Sequence, residues 1–87
     1  MKFQWDKNKS KSNKEKHGIS FEDAQCLWND PLRVEIQTSF PDEDRWILIA
    51  KLDGKIWTAV FTIRNQSTRI ISVRHSREKE VLLYGSK

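Results

Sequence analysis

The dipeptide Asp53-Gly54 stands between two long runs of alternating apolar and polar residues, and it restricts the fold more than any other feature of the chain. Asp-Gly is the strongest short-range signal for a two-residue type I′ hairpin. It folds the run Arg45–Leu52 back on the run Lys55–Arg64 as an antiparallel neighbour. Asn65-Gln66-Ser67-Thr68 reads as a second turn, leading to a strand over Arg69–Arg74, and Leu32–Gln37 also alternates. The segment from Phe40 to Asp44 reads as an acidic loop. Four strands in a row with short connections make an antiparallel meander.

Helix signals lie on either side of the meander. Lys2-Phe3-Gln4-Trp5 alternates and reads as a short strand. Asp6 is placed to cap a helix over Lys7–His17 that stops at Gly18, and Ser20 to cap a second helix ending at Asn29-Asp30-Pro31. Phe21, Ala24, Leu27 and Trp28 give that second helix one apolar face, with Cys26 expected as a small, partly buried residue. Ser76 can cap a closing helix over Arg77–Tyr84 that ends at Gly85. The first helix has no apolar residue, so it either bridges solvent, binds a partner or frays as a basic arm. The chain has 87 residues, which allows one domain, 1–87. The expected fold is therefore a small α+β domain: an antiparallel meander sheet with two N-terminal helices and one C-terminal helix.

Composition excludes several classes. Apolar residues are 37% and charged residues 32% of the chain. No apolar run approaches the roughly 20 residues of a membrane span, so no membrane partner is expected. The basic N-terminus has no apolar core, and we expect no secretory signal. One cysteine rules out an internal disulfide framework and fits the cytoplasm. Two His and one Cys cannot build a closed structural zinc site without help from carboxylates, and no metal or other cofactor is expected. Residues 1–17 carry net +4, residues 18–68 net −3 and residues 69–87 net +3. Two basic ends around an acidic middle suit a polyanion such as RNA, or are simply solvated lysine.

Alternation places Trp57, Ala59, Phe61, Ile63, Ile71 and Val73 on a face covered by helices. Thr58, Thr62, Arg64, Ser72 and Arg74 fall on the opposite, open face. Guanidinium forks and hydroxyls on one surface form a phosphate platform, or the ordinary wet side of a sheet. P-loop, GxGxxG, GxSxG and HExxH patterns are absent. Acid–base chemistry by His, Lys, Arg, Glu and Tyr remains. RNA suits it, because its 2′-hydroxyl is a built-in nucleophile.

Two signatures carry a family resemblance. One is Phe3-x-Trp5-Asp6-x-x-Lys9, continued by Asn13-x-x-Lys16-His17-Gly18-Ile19-x-Phe21-x-x-Ala24 and Asp30-Pro31. The other is Arg69-Ile70-Ile71-Ser72-x-Arg74 followed by Glu80-x-x-x-Tyr84, with Arg45 and Thr62 between the two. Together they resemble the BrnT toxins of type II toxin–antitoxin modules. The resemblance implies a RelE-like ribonuclease fold and metal-independent cleavage of RNA. It also implies a BrnA-like antitoxin partner that contacts operator DNA and represses the operon with the toxin. The sequence departs from the family pattern at Ser10, Ser12 and Lys14, at Ser76 and Arg77, and at Val81.

On this reading His17, Arg64, Arg74, Glu80 and Tyr84 are the candidate catalytic residues. His17 has an unperturbed pKa of about 6.5, suited to proton transfer, or else it caps its helix. Arg64 and Arg74 would take the phosphate or its developing charge. Glu80 and Tyr84 stand four apart on one helix face, as a base and donor or as a surface pair. Lys9, Lys16, Arg45, Thr62, Arg69 and Ser72 are the candidate substrate-binding residues; Arg69 either contacts the substrate or pairs with Glu80 or Asp53. The four Trp are expected in the core. The competing expectation is a non-catalytic module that binds nucleic acid or a partner protein.

Overall fold

A computed structural model describes residues 2–39 and 44–85. The elements run β1 (Lys2–Gln4), α1 (Lys7–His17), α2 (Phe21–Ala24) continued by a 3₁₀ turn (Gln25–Asn29), β2 (Val34–Ser39), β3 (Asp44–Leu52), β4 (Lys55–Arg64), β5 (Ser67–His75) and α3 (Glu78–Gly85). The sheet order is β1-β5-β4-β3-β2. The β2-β3-β4-β5 meander is antiparallel, and β1 adds a parallel strand at the β5 edge, making the sheet mixed. The expected acidic loop falls, apart from Asp44, outside the described residues.

Local chemistry explains the boundaries. Asp53 and Gly54 both have positive φ, 52° and 78°, as a type I′ turn requires. The second hairpin is tighter than the sequence suggests. Asn65 and Gln66 alone form the turn, at φ 50° and 67°, and Ser67 and Thr68 already belong to β5. Asp6 accepts hydrogen bonds from the backbone N–H groups of Asn8 and Lys9, and Ser20 from that of Asp23. Gly18 ends α1 at φ 82°. The second helix is α-helical for four residues only and then tightens to 3₁₀, which leaves Cys26 exposed rather than partly buried.

The core lies between one sheet face and α2. Phe21, Ala24, Leu27 and Trp28 meet Leu48, Ala50, Trp57, Ala59, Phe61, Ile70 and Val73, while Trp5 and Trp46 pack at its margin. Trp28 meets both Phe3 and Phe61 edge-on, at 5.1 and 5.2 Å between ring centroids.

Two assignments from simple alternation are corrected. Ile63 is exposed, because the end of β4 projects beyond the core. Ile70, not Ile71, enters the core. A bulge sets Phe61 opposite Ile70 but Val60 opposite Ser72, so Ile71 is the extra residue.

α1 is held by polar groups. Along its length Ser10 and Asn13 are buried. Ser10 Oγ accepts from the Phe21 N–H at 2.9 Å. Asn13 Nδ2 donates to the Ile19 carbonyl at 2.8 Å, and its Oδ1 accepts from the Val73 N–H at 3.2 Å. β1 pairs with β5 only through Arg69, so Asn13 satisfies a backbone donor on the part of that edge left open.

Candidate functional site

The bulge decides which side chains share a surface. Across the β4–β5 ladder, Thr58 faces Arg74, Val60 faces Ser72 and Thr62 faces Arg69. Directly opposed residues lie on the same sheet face. In an unbroken ladder with Ile71 in step, Arg69 would point away from Ser72 and Arg74. With Ile71 set aside as the bulge, Arg69, Ser72 and Arg74 look out together while Ile70 and Val73 both enter the core. Arg64, two residues beyond Thr62, continues this face at its exposed end, and the half-buried Arg45 joins it from β3.

The face is not fully open, as alternation had suggested. α3 crosses part of it, and Thr58 and Thr62 are buried. Arg74 donates from Nη1 to Glu80 Oε1 at 2.7 Å and from Nη2 to Glu80 Oε2 at 2.9 Å, a two-point fork. Arg74 Nη1 also reaches the His75 carbonyl at 3.3 Å. The Glu80 carboxylate accepts from the Arg77 N–H at 2.7 Å, which caps α3. Thr62 Oγ1 donates to the Asp44 carbonyl at 2.9 Å. At the far end of α3, Tyr84 donates its hydroxyl proton to Asp30 Oδ2 at 2.6 Å, and the same oxygen accepts from the Lys51 N–H.

These contacts set the protonation states. The Arg74 guanidinium, then the Arg77 N–H and the Thr58 hydroxyl, hold the Glu80 carboxyl down at about 2 against the smaller opposing effect of burial. Glu80 raises the Arg74 pKa in return, so the guanidinium keeps its charge. The Tyr84 phenol is pushed up, chiefly by its bond to Asp30 and also by burial. A carboxylate this acidic is a weak proton acceptor at neutral pH, and its geometry suits it to holding Arg74.

A folded pKa below the unfolded value stabilises the protein above the unfolded value, and that gain disappears as pH falls through the folded one. Glu80 therefore predicts a loss of about 2 kcal/mol of unfolding free energy between pH 4.5 and about 2, the full shift being reduced by solvent screening of a partly exposed pair. Urea unfolding at stepped pH should show this loss, and Glu80→Gln should lack it.

The other candidates lie elsewhere. His17 is exposed at the end of α1. Its neighbours Lys14 and Gly18 line a cavity with Trp57, Leu52 and Lys55 on the helix-covered side of the sheet. Lys9 and Lys16 are exposed along α1. Arg69 borders a second cavity with Gln4, Trp5 and Lys7, and attracts Asp6 rather than Glu80 or Asp53. The structure thus brings Arg45, Thr62, Arg64, Arg69, Ser72, Arg74 and Glu80 to one face and leaves His17, Lys9 and Lys16 apart from it.

Sequence reasoning missed two residues. His75 stacks on Trp57 with ring centroids 4.0 Å apart, on the face opposite Arg74. Thr58 lies beneath Glu80. Alternation placed Thr58 on this face, but no local signal links it to Glu80.

A family model described as the ribonuclease toxin, BrnT, of type II toxin–antitoxin systems matches residues 5–80. No curated protein matches the chain.

Proposed function

The chain belongs to the BrnT family of ribonuclease toxins of type II toxin–antitoxin systems, and on that premise we propose that it is a metal-independent endoribonuclease working on the arginine-bearing sheet face. The convergence of Arg69, Ser72 and Arg74 on one surface, made by the bulge at Ile71, is the observation that carries this reading. An RNA strand lies across that face with its phosphates on Arg64, Arg69 and Arg74. Arg45 and the Ser72 hydroxyl support it, while Thr62, buried and bound to the Asp44 carbonyl, holds the sheet beneath. The 2′-oxygen loses its proton and attacks phosphorus, the bond from phosphorus to the 5′-oxygen breaks, and the leaving oxygen takes up a proton. Arg74 stabilises the charge that builds on the phosphoryl oxygens. Glu80 holds Arg74, and Tyr84 fixes the end of the helix that bears Glu80.

We infer that it works in the cytoplasm, where RNA is made and translated. No helix among the described residues is long and apolar enough to cross a membrane. A type II system supplies a protein antitoxin. We assign that role to a BrnA-like protein that binds operator DNA and, with the toxin, represses the operon.

The test is cleavage of a defined RNA by purified protein in excess EDTA. Cleavage to 2′,3′-cyclic phosphate ends is expected, and a 2′-deoxy substitution at the cut site should stop it. RNA binding without cleavage under any condition would instead favour a non-catalytic module.

A further inference from the structure

The face that bears the arginines also bears a band of aliphatic side chains. Strand register arranges this face in rows, because directly opposed residues point the same way. One row runs from Arg74 through Thr58 to Ile49. α3 lies across it, bonded to Arg74 and set against β3. Thr58 and Ile49 are both 0% exposed there, although Ile49 takes no part in the core beneath α2. The next row is Ser72, Val60, Ile47 and Ile36, all half-buried and three of them aliphatic. The row after that holds Arg69 and Thr62, with Arg45 in step on β3. The aliphatic row is therefore the floor of a trough, with α3 along one side and arginines along the other.

The helix adds an apolar wall. Glu80 and Tyr84 turn toward the sheet, where they bond Arg74 and Asp30. At about 100° per residue, Val81 and Leu83 stand on the two flanks of α3, so one of them borders the trough. They are 39% and 47% exposed, and no residue of α3 is buried. An aliphatic floor offers nothing to a phosphate. Apolar surface rimmed by charge marks a protein interface, and a type II system supplies a protein that has to meet this chain, its antitoxin. The dimensions suit a helix. Four strands span about 14 Å, the length of about ten helical residues. A helix packed about 8–10 Å from α3 stands over the aliphatic row and reaches the arginine row beyond it.

We propose that the antitoxin seats an amphipathic helix in this trough, its apolar side on Ile36, Ile47 and Val60 and its acidic side on Arg45 and Arg69. The positive rim selects an acidic partner, and the aliphatic floor selects a protein over a nucleic acid. A helix seated there denies RNA the arginine face. That consequence rests on the reading that RNA is cut on this face, whereas the docking itself does not.

The experiment measures the Kd of the antitoxin encoded in the same operon for the parent, Ile36→Glu, Ile47→Glu and Ile63→Glu, with circular dichroism confirming each fold. A glutamate in the trough puts a charge into the apolar contact and opposes an acidic partner. Ile36→Glu and Ile47→Glu should each raise Kd at least about 100-fold. Ile63 is 54% exposed but lies on the opposite sheet face, and Ile63→Glu should stay within about threefold of the parent. Parental affinity in both trough variants, or an equal loss in Ile63→Glu, overturns the proposal. A chain that is dimeric by sedimentation velocity and made monomeric by Ile36→Glu, with antitoxin affinity kept, puts a second copy in the trough and also overturns it. RNA cleavage is followed in parallel: Ile36→Glu should keep cutting at antitoxin concentrations that silence the parent. A parent that cuts no RNA overturns the catalytic reading, and the affinities still decide the docking. If the trough variants do not fold, methyl shifts of the parent titrated with antitoxin replace them. Shifts at Ile36, Ile47 and Val60 are expected, and shifts at Ile63 without them overturn the proposal.

Discussion

Replacing Arg74 with alanine is expected to lower RNA cleavage by about 100- to 1,000-fold, the usual loss when a donor to developing negative charge is removed. The fold should survive, because Arg74 lies on the face away from the core and α3 keeps its link from Tyr84 to Asp30. Arg74→Lys separates charge from geometry. It keeps the positive charge but cannot engage both Glu80 oxygens in a planar fork, as Arg74 does at 2.7 and 2.9 Å. We expect Arg74→Lys to recover no more than about a tenth of parental activity. Single-turnover rates on a defined RNA, with circular dichroism confirming the fold, provide the measurement.

Asn13→Ala is expected to have the largest effect on stability. Both polar atoms of its buried amide are committed to backbone groups of other segments, the Ile19 carbonyl and the Val73 N–H. Truncation strands both partners and should cost about 3 kcal/mol. In a domain of this size that lowers the melting temperature by roughly 10–20 °C. Ser10→Ala strands only the Phe21 N–H and should cost about 1 kcal/mol. Thermal and urea unfolding would rank the two, and an Asn13→Ala protein that melts with the parent would refute the polar docking of α1.

This contrast marks where the sequence was legible. Asp53-Gly54, Asp6 and Ser20 announce their structures because each acts on its own neighbours: a backbone at positive φ, or the first N–H groups of the adjoining helix. Asn13 reaches Val73, sixty residues away, and does so with hydrogen bonds. Hydropathy does not register that kind of contact, so α1 read as a polar helix that bridges solvent, binds a partner or frays. The expected α+β meander stands because it follows from local signals. The parallel pairing of β1 with β5 depends on the two ends of the chain meeting, which no local pattern encodes.

The site was legible in its residue types and less so in its layout. Strict alternation over Ile70-Ile71-Ser72 assumes one residue per step, and the bulge breaks that step. The adjacent isoleucines were the available hint, since one of them has to leave the core. Alternation also gave no warning that α3 would lie over Thr58, because that placement depends on Glu80 finding Arg74 and Tyr84 finding Asp30. The spacing of Glu80 and Tyr84 did place them on the same side of the helix, as the structure has them.

The central claim is that RNA lies on the arginine-bearing sheet face. The most direct measurement is the set of intermolecular NOEs between the protein and an RNA oligonucleotide made uncleavable by 2′-deoxy substitution. Contacts to the Val60 methyl groups and to the Ser72 and Arg74 side chains are predicted. Contacts to the Trp57 indole and the His17 ring, with none to Val60, Ser72 or Arg74, would contradict it.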